Sequence, residues 1–232
     1  MLELFPEGFE ELDRPDGVEL VAYTDASGEE RLWAAFGQVT ADDVGAGWEE
    51  RWRDFHRPVR VGGLWIGPPW ETPPPDAEAV VVDPGRAFGT GGHATTRLCL
   101  GLLGELERGS LLDVGCGSGV LAIAAAKLGY APVTALDHDT SAVEATARNA
   151  TANGVELDCR LADAFAGELP ATDVALVNIS PEAVGQILPA LAAHTVVTSG
   201  YLERDRPEGE GFRHERRVAA DGWAADLFRR EE

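Results

Sequence analysis

From residue 79 onward, short apolar runs alternate with segments of helical periodicity. The runs are Ala79–Val82, Leu111–Val114, Val133–Asp137, Glu156–Leu161, Val174–Asn178 and His194–Ser199. The segments between them that read as helices are Ala94–Glu107, Gly119–Leu128, Ser141–Asn153 and Pro181–Ala192. Strands this apolar, each followed by a helix, predict a parallel sheet covered on both faces. The tail changes style. Phe212–Ala219 and Trp223–Phe228 flank Ala220-Asp221-Gly222, which signals a hairpin turn. The expected fold is α/β: a doubly wound, mostly parallel, seven-stranded Rossmann-like sheet with a small α+β module before it.

That module occupies residues 1–67. Val18–Thr24 and Glu30–Phe36 flank Asp25-Ala26-Ser27-Gly28 and read as a hairpin. Thr40 is placed to cap a helix with Asp42 and Asp43 in its first turn. Trp48, Trp52 and Phe55 share one face of it, a stripe for burial rather than for a partner. Val59–Val61 and Leu64–Ile66 predict a second short hairpin around Gly62-Gly63. The prolines between Gly67 and Asp76 then form a stiff connection, so residues 68–78 read as a linker and 79–232 as the main domain.

Composition narrows the chemistry. The 232 residues, 44% hydrophobic and 25% charged, suit a globular α/β domain with a small appendage. The net charge of −21 argues against a nucleic-acid substrate. It suits a basic partner, though it is more simply read as a surface that keeps the protein soluble. Cys99, Cys116 and Cys159 form no C-x-x-C pair and have no histidine cluster beside them, so neither a metal site nor a disulfide framework is expected. The start Met1-Leu2-Glu3-Leu4 has no basic n-region and no long apolar run follows. No membrane association is expected, and the expected compartment is the cytoplasm.

The strongest local signal is Asp113-Val114-Gly115-Cys116-Gly117-Ser118-Gly119, a glycine turn between a strand and a helix. Such a turn lets a ligand lie against bare backbone. Its spacing is G-x-G-x-G, and Val120 stands where a dinucleotide site has its last glycine. No lysine follows the glycines, which excludes a P-loop. Asp113, just ahead of the loop, would repel a pyrophosphate but suits a ligand carrying an ammonium and a sulfonium. Asp137 ends the second strand, where a carboxylate accepts both ribose hydroxyls. Asp163 follows the third strand, placed to meet an adenine amino group. Each acid has a structural alternative: Asp137 as a cap for the helix near Ser141, Asp113 as a solvated strand end. This loop and these acids, on a parallel sheet closed by an antiparallel hairpin, fit a class I methyltransferase using S-adenosylmethionine.

The string Asp83-Pro84-Gly85-Arg86-Ala87-Phe88-Gly89-Thr90-Gly91-Gly92-His93-Ala94-Thr95-Thr96, with the glycine loop and Val177-Asn178-Ile179, resembles the ribosomal protein L-eleven methyltransferase family (PrmA-like protein lysine methyltransferases). The resemblance runs from about Trp48 to Gly200. It implies methylation of lysine or N-terminal amino groups of a ribosomal protein, with S-adenosylmethionine as donor. Thr96, Gly115, Asp137 and Asn178 match the family's cofactor-contacting positions. Asp113, Gly117, Thr90 and Asp163 complete the candidate binding set.

Asn178 is also the first catalytic candidate, because its amide oxygen can accept N–H bonds from the attacking amine and fix its approach. His93 is the second. It has two readings, a general base or a brace for its loop. The chain departs from the family in three places. Asn178-Ile179-Ser180-Pro181 stands where the family usually has Asn-Ile-Leu, and the proline is expected to start the next helix sharply. The part before Trp48 is short for the family's ferredoxin-like recognition domain. The proline- and glycine-broken run Leu202–Gly211 is expected to form little helix and to weaken packing at the sheet edge. Two alternatives to the implied activity stay open: another protein or small-molecule amine as acceptor, or a cofactor-binding scaffold without catalysis.

Overall fold

Helix propensity overrides the expected hairpin near the N-terminus. The computed structural model describes residues 10–14, 17–22, 26–37, 39–40, 57–83, 91–167 and 169–231. It divides into two compact units, Met1–Trp52 and Arg53–Glu232. In the first unit, β1 (Glu10–Arg14) and β2 (Gly17–Val21) pair antiparallel, and α1 (Ala26–Phe36) follows. The partner of β2 therefore precedes it, and the segment read as the second strand is helical. Glu29, Glu30, Arg31, Leu32, Ala34 and Ala35 are all good helix formers, and they outweigh the apparent alternation. Gly37, at φ +69°, stops the helix. The helix expected after Thr40, with Trp48, Trp52 and Phe55, lies outside the described residues.

In the second unit, β3 (Val59–Val61) and β4 (Leu64–Gly67) form the expected short hairpin. β5 (Glu78–Val81) then pairs parallel with β4. The proline-rich stretch thus joins two strands of one three-stranded sheet, and the division between compact units falls before the hairpin rather than after it. The apolar run 79–82 was expected to belong with the parallel strands; it belongs to this smaller sheet instead.

The main sheet contains β6 (Leu111–Val114), β7 (Val133–Asp137), β8 (Asp158–Leu161), β9 (Thr172–Asn178), β10 (Ala193–Leu202), β11 (Phe212–Ala220) and β12 (Trp223–Arg230). Their order is β11-β12-β10-β9-β6-β7-β8. β6 to β10 run parallel, and β12 and β11 close the sheet antiparallel. The seven-stranded, doubly wound, mostly parallel α/β sheet agrees with expectation. Its helices are α2 (Ala94–Glu105), α3 (Val120–Lys127), α4 (Thr140–Asn153) and α5 (Pro181–Ile187), the last extended by a 3-10 turn at Leu188–Ala190. None of the described helices is long and apolar enough to cross a membrane.

The pleat sends alternate residues into two cores. Leu111, Leu176 and Val197 meet Leu100, Leu103 and Ile123 on one face. Leu112, Val114, Ala175 and Val177 meet Val184 and Ile187 on the other. Each large apolar side chain so buried is worth about 1.5–3 kcal/mol. The small sheet joins the first of these cores through Leu64, Ile66, Val80 and Val82.

Two polar ties matter for the site. Asn153 of α4 accepts from the Val81 amide at 2.8 Å and donates to its carbonyl at 2.6 Å, and Asn149 accepts from the Asp83 amide at 3.2 Å. At the antiparallel end, the buried Asp226 of β12 accepts from Tyr201 at 2.8 Å and from Arg217 at 2.6 and 2.8 Å, and lies 2.7 Å from His214 Nε2. Burial works to raise this carboxyl, but Arg217, His214 and Tyr201 outweigh it and hold it below the usual carboxylate range. Residues 203–211 are not helical, as expected. Arg217 donates to the carbonyls of Glu203 and Asp205, so that run is fastened to the sheet edge rather than loose.

Candidate functional site

The strand order reverses between β6 and β9, and open α/β sheets bind ligands at the carboxyl end of such a point. There the chain leaves β6 through the glycine loop. Gly115, Gly117 and Gly119 have φ of +74°, +56° and +82°. A Cβ on Gly115 would stand 2.7 Å from Ile179, and one on Gly119 would meet Thr146 at 2.8 Å. The loop is held mostly by other elements. The Gly117 amide donates to Asp137 at 3.0 Å, the Thr146 hydroxyl donates to the Gly117 carbonyl at 3.0 Å, and Asn149 donates to the Ser118 carbonyl at 2.9 Å.

Neither strand-end acid takes the particular structural place expected as its alternative, though both hold backbone amides. Asp139, not Asp137, caps α4, accepting from the Ser141 amide at 2.8 Å. Asp137 instead faces the loop, with its second oxygen taking the Asp139 amide at 3.0 Å. A carboxylate has about four lone-pair sites, so Asp137 keeps capacity for further donors. Asp113 is not solvated: it is 1% exposed and accepts from the Ala122 amide at 3.1 Å, in the first turn of α3. Gly119 offers that helix no side-chain cap, so Asp113 serves its exposed amides from the strand below. Burial pushes the Asp113 carboxyl up to about 7; the Ala122 bond opposes this and the Asp137 charge adds to it.

Across the point, Asn178 ends β9 opposite Ser199 of β10. Gly200 follows at a register irregularity, at φ +98°, and a Cβ there would lie 1.8 Å from the Ile179 carbonyl oxygen. The backbone after Asn178 therefore lies directly on bare glycine. Ser180 caps α5 by accepting from the Ala183 amide at 3.4 Å, and Pro181 takes the first turn as expected.

Thr96 is buried in the first turn of α2, and His93 is that helix's N-cap. His93 Nδ1 accepts from the Thr95 amide at 3.4 Å and lies 2.8 Å from the Thr95 hydroxyl. Burial first, then the Arg97 charge, lowers its pKa and favours the neutral ring. Nδ1 is thus engaged at the start of α2. The ring also meets Trp223 edge-on, with centroids 4.6 Å apart. Asp163 is exposed at a turn after β8 and accepts from the Phe165 amide at 2.9 Å.

One cavity of about 590 Å³ collects these groups: His93, Thr96, Asp113, Gly115, Gly117, Asp137, Asp163 and Asn178 all line it. Thr90 lies outside the described residues. Sequence reasoning passed over Gly200, Phe165 and Trp223, which line the same cavity. Trp223 had a usable signal, since it directly follows a hairpin turn. Gly200 had none before its neighbour Ile179 was known.

A family model described as ribosomal protein L11 methyltransferase (PrmA) matches residues 19–230. A ribosomal protein L11 methyltransferase of Legionella pneumophila is 40% identical over 198 residues, covering 78% of this chain and 68% of the relative. One from Aeromonas hydrophila is 40% identical over 201 residues, covering 76% and 67%. A crystal structure of ribosomal protein L11 methylase from Lactobacillus delbrueckii subsp. bulgaricus superposes with a TM-score of 0.66 at 30% identity, over 76% of this chain and all of that one. Class I methyltransferases in general use S-adenosylmethionine, and a glycine cradle beside a strand-end carboxylate fits such a ligand. The chain belongs to the PrmA family of ribosomal protein L11 methyltransferases.

Proposed function

We propose that this protein methylates lysine or N-terminal amino groups of ribosomal protein L11, with S-adenosylmethionine held by Asp137, Gly115, Gly117 and Thr96. The observation that carries this is the gathering of those residues and Asn178 around one cavity at the switch point. Asp137 accepts the ribose hydroxyls, using the lone pairs its two backbone partners leave. Gly115 and Gly117 let the ligand approach bare backbone. The first turn of α2, with Thr96, meets the methionine carboxylate through exposed amides and a hydroxyl. Asp113 supplies a buried negative charge toward the ammonium and sulfonium. Asp163 and Thr90 belong to the binding set, Asp163 toward the adenine. When bound, the cofactor supplies a methyl carbon made electrophilic by its sulfonium.

The acceptor must arrive as a neutral amine with its lone pair aimed along that line. Asn178 and the adjoining backbone carbonyls accept its N–H bonds and set the direction, a gain mainly of orientation. His93, engaged with Thr95, holds the start of α2, and the proton that the amine must lose goes to water. The net charge of −21 favours encounter with a basic ribosomal protein. The relatives' names point to the same acceptor. The test is incubation with labelled S-adenosylmethionine and total ribosomal proteins, followed by mass spectrometry. Label on L11 is the expected result. Label only on other amines would redirect the acceptor, and no label with intact cofactor binding would leave a scaffold.

A further inference from the structure

The cavity spans six strands, and their order sorts its walls. Asp163 follows β8, Asp137 ends β7, and Gly115 follows β6. Asn178 ends β9, Gly200 lies on β10, and Trp223 opens β12. The groups assigned above to the nucleotide part of the cofactor thus lie on the β6–β8 side of Asn178. Trp223 lies on the other side, two strands away, or about 10 Å at ordinary strand spacing. It is a half-buried indole at the edge of a largely apolar cavity, away from the groups assigned to the nucleotide and beside the start of α2.

Trp223 is also fixed in place. Asp221 and Gly222, at φ +54° and +79°, form a tight two-residue turn between β11 and β12. Arg97 of α2 donates to Asp221 at 2.6 Å and so pins the turn to the helix that carries Thr96. His93 packs its ring edge-on against the indole. One helix thus holds both the turn and the ring.

We propose that Trp223 is the acceptor-binding wall of the site, receiving the alkyl stem and ammonium of the incoming amine against its ring. This rests on the methyltransferase reading above. The chemistry favours an aromatic here. A protonated amine is attracted to an indole face. The indole holds the docked ammonium before its proton is lost to water, and Asn178 orients the neutral amine that then reacts. Each added N-methyl removes an N–H for Asn178 but leaves the attraction of the docked cation to the ring. Trp223 therefore gains importance as the acceptor becomes more methylated, and Asn178 loses it.

The test compares the full-length wild type with Trp223→Phe, Trp223→Leu and Trp223→Ala, using purified ribosomal protein L11 and the same protein with its amines chemically monomethylated. Cofactor affinity is read by calorimetry, and acceptor KM and kcat by methyl incorporation. Trp223→Leu is expected to raise acceptor KM about tenfold, and more for the monomethylated acceptor, with cofactor Kd unchanged. Trp223→Phe is expected to recover most of the loss. If Trp223→Ala fails to fold, the Phe and Leu pair still decides, since both fill the space and only one is aromatic. An unchanged KM in Trp223→Leu, an equal penalty on both acceptors, or a matching loss of cofactor affinity would each overturn the assignment. A wild type that leaves L11 unmethylated would overturn the functional reading itself, which separates the two failures.

Discussion

After β6 the cavity wall is a glycine loop set among strand-end side chains of β7 and β8, while at β12 it rests on one indole held by side chains brought from far apart in the chain. The first wall is a glycine loop whose peptide groups are taken up by Asp137, Thr146 and Asn149. The second depends on Arg97 reaching Asp221, His93 meeting Trp223, and the buried Asp226 cluster holding β10, β11 and β12 together. Backbone walls of this kind tolerate little change of shape, because a ligand fits only where Cβ atoms are missing. Side-chain walls can be retuned one residue at a time.

The largest effect should come where the two walls meet. Gly200→Ala places a Cβ against the Ile179 carbonyl at a positive φ, and is expected to cost on the order of 3 kcal/mol or more of stability. Thermal melting checks this; a melting temperature like wild type would mean the seam yields. Next, Asn178→Ala is expected to lower kcat roughly a hundredfold, the scale of a misplaced reactant, with a smaller loss of cofactor affinity. A normal turnover number would remove Asn178 from the chemistry. Asp137→Ala breaks the backbone wall and is expected to weaken cofactor binding about ten- to a hundredfold, since bonds to a charged group are worth ~1.5–3 kcal/mol. Calorimetry decides it, and unchanged affinity would place the ribose elsewhere.

The smallest effect sharpens the comparison by pH. Asp113, pushed up to about 7, is largely protonated below that pH and charged above it. A cationic ligand favours the charged form. Cofactor affinity should therefore rise through pH 7, by roughly five- to tenfold between pH 5.5 and 8, since one unit of pKa corresponds to a factor of ten. Asp113→Asn should flatten that profile. A slope that persists in the variant would assign it to another group.

The backbone wall was legible in the sequence because it is contiguous: Asp113 to Gly119 is one short string, and Asp137 lies a fixed helix-and-strand later. The parallel strands were legible for a similar reason, their apolar runs being bounded by turns. The acceptor wall was not, because His93, Arg97, Asp221 and Trp223 meet only after β12 has folded back beside β10. The segment 26–36 was misread because its few apolar positions, Leu32, Trp33 and Phe36, suit a helix or a strand, and only composition separates them. β5 was placed in the wrong sheet because an apolar strand carries no mark of its neighbour; its partner β4 lies across a proline-rich stretch that reads as a separation.

The asparagines of α4 join parts that no strand pairing connects. Asn149 holds the Ser118 carbonyl with one end of its amide and the Asp83 amide with the other, and Asn153 holds Val81 one turn along. Hydrogen exchange turns this into something visible. The Val81 and Asp83 amides should exchange only when α4 opens, so they share the protection of the main sheet rather than that of the small one. A ligand that steadies the glycine loop should then slow exchange at Asp83, on a strand end that belongs to neither the loop nor its sheet.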